Sequence, residues 1–250
     1  MTLRDEAYKL DPPRWCREAL DYHPDKWAVQ AMMSPARYII ENISRQAGKS
    51  TCSAAIAVHR AIFFPGSLIL VVSPTLRQSG ELQRKCMKFY NIVDPKHEGL
   101  AEDTKLSVQL INGSRIIALP GQEDSLRGYS APSMIIEDEA SRVKDDLHTA
   151  IRPMLATNQG RLILLSTPNG KIGHFHKIWT EGGPEWLKLK VTADDIPRIS
   201  KEFLDNERLN MTESEFLQEY FCEFMESEGA VFSSDLFRSL ANPALSALQI

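Results

Sequence analysis

Gly48-Lys49-Ser50 is the triplet in this chain whose residue types and order point most directly to chemistry. It closes the run Ser44-Arg45-Gln46-Ala47-Gly48-Lys49-Ser50-Thr51, which follows the apolar segment from Tyr38 to Ile43 and leads into Cys52-Ser53-Ala54-Ala55-Ile56-Ala57-Val58. Strand, loop and helix in that order suit the binding of nucleotide phosphates. Successive backbone N–H groups aim at the anion, and the first turn of the helix adds its unpaired N–H groups and its dipole. Gly48 lets the backbone approach without a Cβ, Lys49 brings a charge to the terminal phosphates, and Ser50 offers its hydroxyl to Mg²⁺, a hard cation that prefers oxygen. The G-x-x-x-x-G-K-[ST] pattern begins with glycine, whereas this chain has Ile43 there, so the loop is a variant.

A second segment, Met134-Ile135-Ile136-Glu137-Asp138-Glu139-Ala140, puts carboxylates at the end of an apolar strand. In an open α/β sheet that end is the ligand-binding edge. There Asp138 can hold the Mg²⁺ shell and Glu139 can orient and polarise an attacking water. Glu137 stands where an apolar residue usually precedes the aspartate. Taken alone the segment is an ordinary acidic loop after a strand; the Gly-Lys-Ser loop is what gives it meaning. A third segment, Leu164-Leu165-Ser166-Thr167-Pro168-Asn169-Gly170, ends a buried strand in small hydroxyl residues that can sense a terminal phosphate, although the same residues also make plain turns.

These segments need a scaffold, and the remaining pattern supplies one. With 250 residues, 43% hydrophobic and 25% charged, the chain suffices for one large α/β domain and a tail. No apolar run approaches the roughly 20 residues of a membrane span, and the first residues lack the apolar stretch of a signal peptide. Four dispersed cysteines without a C-x-x-C pair argue against a zinc knuckle or a disulfide framework, so a soluble protein of a reducing compartment is expected. The net charge of -4 opposes a broad nucleic-acid surface, leaving only local contacts with a phosphate backbone.

Leu68 to Val72 is a continuous apolar run, as for a strand buried on both faces, and ends in Ser73-Pro74-Thr75. A helix is predicted from about Leu76 to Val93. Leu106 to Ile111 and Arg115 to Leu119, joined by Asn112-Gly113, predict a hairpin with a type I′ turn. Strands follow at Met134 to Ile136, Leu162 to Leu165 and Trp186 to Val191, with a helix between the first two carrying Leu147, Ile151, Met154 and Leu155 on one stripe. Thr212 to Glu215 forms a capping box before Phe216, Leu217, Tyr220, Phe221 and Phe224, predicted to share one helical face. Leu3 to Leu20, interrupted by Pro12-Pro13, reads as a helical arm or strap, and the Tyr22 to Trp27 cluster as core packing or an adenine contact. His174-Phe175-His176 is read as structural, because the sequence shows neither a third ligand nor an acidic neighbour beside it. Alternating strands and helices predict an α/β fold with a mostly parallel sheet.

The phosphate loop, the Asp138-Glu139 pair after Ile135-Ile136, Arg152-Pro153-Met154-Leu155, and Leu165-Ser166-Thr167-Pro168-Asn169-Gly170 together resemble the ATPase domain of the large terminase subunit. That is the motor which drives DNA into the preformed capsid of tailed bacteriophages. The resemblance runs from about Tyr22 to Phe232. It implies a P-loop NTPase of the RecA/ASCE-like type at 22–232, preceded by an arm at 1–21 and followed at 233–250 by a tail towards a nuclease domain. It further implies ATP and Mg²⁺ as cofactors, double-stranded DNA as the translocated partner, a homo-oligomeric ring with the portal protein and the small terminase subunit, and the host cytoplasm as location.

Carried over residue by residue, Ser44 to Thr51 bind nucleotide and Ser50 and Asp138 hold the metal. Glu139 is the catalytic carboxylate that orients the attacking water, with Arg45 acting within the subunit and Arg127 reaching a neighbour's site. Ser166, Thr167 and Pro168 match the segment that couples hydrolysis to motion, and Ser73-Pro74-Thr75 resembles a helicase-like segment. Two features depart from the family pattern: Ala28 follows Trp27 where glutamine is common, and no carboxylate cluster follows Phe232 beyond Asp235, so no nuclease activity is expected of these residues. A helicase-like ATPase and a nucleotide-binding assembly module without turnover are the rival readings.

Overall fold

The structure, a computed structural model, describes residues 2–126 and 128–226. Helices α1 (Leu3–Leu10) and α2 (Pro12–Ala19) meet at Asp11, which ends the first and caps the second by accepting from the Arg14 N–H. Pro12 and Pro13 occupy the first helical positions, where a missing N–H removes no helical bond. Then come α3 (Lys26–Met33), β1 (Tyr38–Ile43), α4 (Lys49–Phe63), β2 (Leu68–Ser73), α5 (Leu76–Val93), β3 (Leu100–Asp103), β4 (Ser107–Leu110) and β5 (Arg115–Pro120). They are followed by α6 (Glu123–Leu126), β6 (Met134–Asp138), α7 (Asp145–Met154), β7 (Arg161–Ser166), α8 (Gly173–Glu181), β8 (Trp186–Val191), α9 (Lys201–Asn210) and α10 (Glu213–Phe221).

One eight-stranded sheet runs in the order β3-β4-β5-β2-β6-β7-β1-β8. From β5 to β8 every pair is parallel, and β4 alone is reversed, pairing antiparallel with both β3 and β5. The expected α/β architecture is therefore present. Alternation along the strands divides the core. Ile39, Ile43, Ile136 and Ile163 pack with α4 and α5 on one face, and Ile40, Ile135, Leu162 and Leu164 with α7 and α8 on the other. All eight are fully buried, and each such side chain stabilises the fold by roughly 1.5–3 kcal/mol.

Four details differ from the sequence reading. The β4–β5 hairpin closes through the three residues Ile111 to Gly113, with the Gly113 N–H donating to Leu110 O and only Gly113 left-handed (φ 83), which is a type I turn with a glycine bulge rather than a two-residue type I′ turn. Strand β3, exposed and without alternation, carries no sequence signal. The N-terminal segment is the strap of the two alternatives and not a free arm: Tyr8, Trp15, Cys16 and Leu20 belong to the core shared with α4, and Trp15 packs edge-on against Phe63 at 5.8 Å. Finally, α10 stops at Phe221 because Cys222 turns left-handed (φ 60). Phe224 therefore leaves the Phe216/Tyr220 face and packs on Phe175 of α8, ring centroids 6.1 Å apart. The capping box at Thr212 and Glu215 is present, and α5 has the predicted limits. Phe232, Asp235 and the 233–250 tail lie outside the described residues.

Candidate nucleotide site

The loop between β1 and α4 is held from outside. The Ser44 N–H donates to Val191 O and the Arg45 N–H to Glu219 O, each at 2.8 Å, which ties the loop to β8 and α10. Gly48, at the N-cap of α4, has φ 87, a left-handed conformation that calls for glycine, and a Cβ there would stand 3.2 Å from the flexible end of Arg198. Lys49 is buried and its Nζ donates to the carbonyls of Ile43 (2.8 Å) and Ser44 (3.0 Å). Burial holds its ammonium below the ordinary lysine pKa, against the attraction of Glu139, Asp138 and Glu219. A buried cation satisfied only by loop carbonyls suits exchange onto the oxygens of an anion. The Arg45 side chain is 62% exposed, with Nη1 3.9 Å from Glu219 Oε2.

The sheet register brings the other two segments alongside. Asp138 of β6 pairs with Leu165 of β7, and Ser166 of β7 pairs with Asn42 of β1. The phosphate loop, the acidic pair and Ser166-Thr167-Pro168 thus leave the carboxyl ends of three neighbouring strands. Asp138 is buried, and its Oδ1 has no hydrogen-bond partner. Burial, then the charge of Glu139, push its pKa up to about 6, with Lys49 opposing. An orphaned carboxylate oxygen of this kind is costly unless a cation meets it. An oxygen donor of this kind suits a hard cation such as Mg²⁺, and Ser50, in the first turn of α4, carries a second oxygen donor.

Glu139 lies in the left-handed region (φ 54, ψ 42), a conformation costing about 1–3 kcal/mol that is found where surroundings enforce it, often at functional sites. Its Oε2 accepts from Arg142 Nη1 at 3.2 Å and Ser166 Oγ at 3.5 Å. Ser166 Oγ also lies 2.7 Å from Ser141 Oγ, while Arg142 reaches Thr167 Oγ1 at 3.5 Å and Glu219 Oε1 at 3.3 Å. Thr75 of the Ser73-Pro74-Thr75 segment is committed to capping α5. Arg127 lies outside the described residues.

Three residues at this edge carry no signal in the sequence: Arg142, Glu219 and Arg198. Arg198 donates to Ala47 O at 2.5 Å and pairs with Asp25 at 2.8 Å, bracing the loop against the start of α3. All three are ordinary charged residues in unremarkable contexts, and only the fold brings them to the loop.

The premise behind the structural reading of His174, that no acidic neighbour stands beside it, requires correction. Folding supplies the acidic neighbours missing locally: His174 Nε2 donates to Glu137 Oε1 at 2.6 Å, His174 Nδ1 to Asp145 Oδ1 at 3.0 Å, and His148 Nδ1 to Glu137 Oε2 at 3.4 Å. Glu137, the residue that breaks the apolar pattern before Asp138, faces α7 and α8 on the side of the sheet away from the loop. Burial alone would raise its pKa, but the bonds from His148 and His174 outweigh that and hold it below the usual carboxylate value. Carboxylates on both ring nitrogens likewise outweigh burial and raise His174, which carries both protons. The ligand-type atoms of Glu137, His148 and His174 lie within 4.8 Å of one another. The two imidazoles, however, are stacked at 4.3 Å and 10°, so their in-plane lone pairs run parallel instead of converging on one ion. This is a hydrogen-bonded ionic cluster. His176 turns away, its ring against Phe224.

The family described as "Terminase large subunit, T4likevirus-type, N-terminal" matches residues 40–239. The chain belongs to this terminase family. A terminase large subunit of Escherichia phage T5 is 28% identical over 218 residues, 82% of this chain and 48% of that protein. One of Thermus phage G20c is 23% identical, over 90% of this chain and 53% of that protein, so the chain spans about half the length of the curated relatives it matches. Among solved structures, the Thermus phage P74-26 large terminase ATPase domain superposes with a TM-score of 0.77 at 22% identity, covering 86% of this chain and all of that domain (100%). The terminase fold is thereby established. Among the described residues, no helix is long and apolar enough to cross a membrane.

Proposed function

We propose that this terminase chain is an Mg²⁺-dependent ATPase that drives double-stranded DNA into a phage procapsid. The observation that carries the reading is the adjacency of three strand ends: the loop after β1, Asp138-Glu139 after β6, and Ser166-Thr167-Pro168 after β7.

Backbone N–H groups of 44–51 and the dipole of α4 receive the phosphates, and Lys49 exchanges the Ile43 and Ser44 carbonyls for phosphate oxygens. Ser50 and Asp138 hold Mg²⁺, which neutralises charge on the terminal phosphates. Glu139 orients the attacking water once its carboxylate is released from Arg142. Arg45 from the same chain and Arg127 from a neighbouring copy stabilise the charge of the transferred group. Ser166 and Thr167 already touch Glu139 or its partner Arg142, so loss of the terminal phosphate passes through Ser166-Thr167-Pro168 to α8. The motor is a homo-oligomeric ring that works in the host cytoplasm with the portal protein and the small terminase subunit. A large terminase of bacteriophage D6E solved in complex with ADP shares the fold at a TM-score of 0.63, which supports nucleotide as the ligand.

Steady-state ATPase activity measured against protein concentration, with and without duplex DNA, tests this. Glu139→Ala is expected to lower turnover by about 10²–10⁴-fold, the range for a positioned catalytic acid or base. Arg127→Ala is expected to abolish the rise of specific activity with concentration. Full turnover by Glu139→Ala contradicts the assignment of that residue, and specific activity that is independent of both concentration and Arg127 contradicts the shared site.

A further inference from the structure

At the opposite end of the parallel strands from the loop lies a cavity of about 580 Å³, where β1, β6 and β7 begin and α1, α3 and α4 end. Lys9, Arg37, Arg60 and Arg161 line it, and no aspartate or glutamate is among the described residues that do. Such a concentration of positive charge is unexpected in a chain of net charge -4. His59 adds none, since burial lowers its pKa to about 4 while its Nε2 sits 2.9 Å from Tyr8 O.

Helix carbonyls answer part of this charge. Arg161 Nη2 donates to Ala31 O and Ser34 O at the end of α3, each at 2.9 Å, and Arg37 Nη2 to Leu155 O after α7 at 3.1 Å. Lys9 lies in the last turn of α1 and Arg60 in that of α4. At about half a charge per helix end, four ends offset roughly half of four cations, and no carboxylate among the described lining residues answers the rest. The buried Nε atoms of Arg37, Arg60 and Arg161 have no hydrogen-bond partner. Glu41 is the one acid acting noticeably on Arg161, and burial pushes its own pKa up to about 8, so it stays largely protonated at neutral pH. Part of the wall is apolar. The Phe64 ring lies under Arg60 at 4.2 Å and under Lys9 at 5.3 Å, and Met32 and Met33 stand nearby.

We propose that this cavity is a second anion site, one that takes the phosphate of a nucleotide unit. Forked guanidinium donors match phosphate oxygens, while the phenyl and thioether wall accommodates the attached organic part. The site is separate from the loop and stands whether or not the loop hydrolyses ATP.

The test uses the whole chain carrying Lys49→Ala, which removes the loop lysine. Inorganic pyrophosphate is titrated and followed by ³¹P line width at constant ionic strength, and a 5′-phosphorylated oligonucleotide is titrated separately and followed by fluorescence anisotropy. Saturable pyrophosphate binding is expected, at least tenfold weaker when Lys9→Gln and Arg60→Gln are added and restored in part by Arg60→Lys. Should the double substitution not fold, Lys9→Glu alone is expected to weaken binding several-fold. Oligonucleotide binding with the same dependence identifies nucleic acid as the source of the phosphate, and pyrophosphate binding without it identifies a free phosphate compound. No saturable binding, or binding indifferent to Lys9 and Arg60, overturns the proposal.

Discussion

Strands β1 and β6 each carry a glutamate that is 0% exposed, and the two side chains meet opposite fates. Glu41 faces α4, and neither of its oxygens has a hydrogen-bond partner. Burial pushes its pKa up to about 8 against the attraction of Arg161 and Lys49, with Asp138 adding to the rise, so it is largely neutral at pH 7. Glu137 faces α7 and α8, where N–H donors from His148 and His174 keep it ionised despite equal burial. Burial pushes both carboxyls the same way, and only donors within reach reverse it. The strand beneath the phosphate loop therefore holds a neutral acid, whereas the strand carrying Asp138 and Glu139 is pinned from behind by a charged cluster.

The largest effect expected from this difference is on folding. Glu137→Gln leaves the His174 cation without its main counter-charge, and breaking a buried pair in this way costs about 3–5 kcal/mol. Urea unfolding measures it, and a loss below about 1 kcal/mol would erase the distinction from Glu41. Glu41→Gln replaces one neutral buried group by another and is expected to change stability by no more than about 1 kcal/mol near pH 4, where the carboxyl is still largely protonated in the unfolded chain as well.

Dependence on pH sharpens the contrast. For Glu41 the folded value lies above the unfolded one, near 4.5, so the folded state retains a proton that the unfolded state has lost. Its contribution therefore falls as pH rises from about 4.5 to about 8, by at most about 1.4 kcal/mol per pH unit, and Glu41→Gln should gain on the wild type across that window. Glu137, with its folded value lowered, contributes fully above 4.5 and loses that contribution as pH falls through the folded value. His174, with its folded value raised, contributes fully below 6.5 and loses it as pH rises through the folded value. The cluster is thus strongest between the two, and the stability of Glu137→Gln should vary less than that of the wild type on both sides. Stability curves at several pH values, for wild type and both variants, check these signs.

The smallest effect concerns the loop above Glu41. Arg198→Ala removes the brace on Ala47 O; because Arg198 is half exposed, about 1 kcal/mol or less of stability is expected to go, together with a several-fold weaker nucleotide affinity measurable by calorimetry.

What the sequence revealed was local. A buried apolar run ending in Gly-Lys-Ser, Asp-Glu or Ser-Thr-Pro carries its meaning within a few residues, so the α/β class and the three strand ends were legible, as were the limits of α5. What stayed hidden depended on packing between distant segments. His148 and His174 follow Glu137 by 11 and 37 residues, and Arg198 reaches Ala47 across 151, separations over which no periodicity extends. The Asn112-Gly113 pair signalled a turn correctly but not its length, because type I and type I′ closures both accept glycine at the left-handed position. Phe224 fits the α10 stripe by spacing, and the left-handed Cys222 that removes it from the helix has no composition cue.

The central claim is that the loop and the acidic strand serve one magnesium nucleotide. Its most direct test is a double-mutant cycle on Ser50→Ala and Asp138→Asn, read as the Mg²⁺-dependent affinity for a slowly hydrolysed ATP analogue. Shared coordination predicts that the two losses are non-additive by at least about 1 kcal/mol. Losses that add within about 0.5 kcal/mol, the behaviour of independent sites, would contradict it.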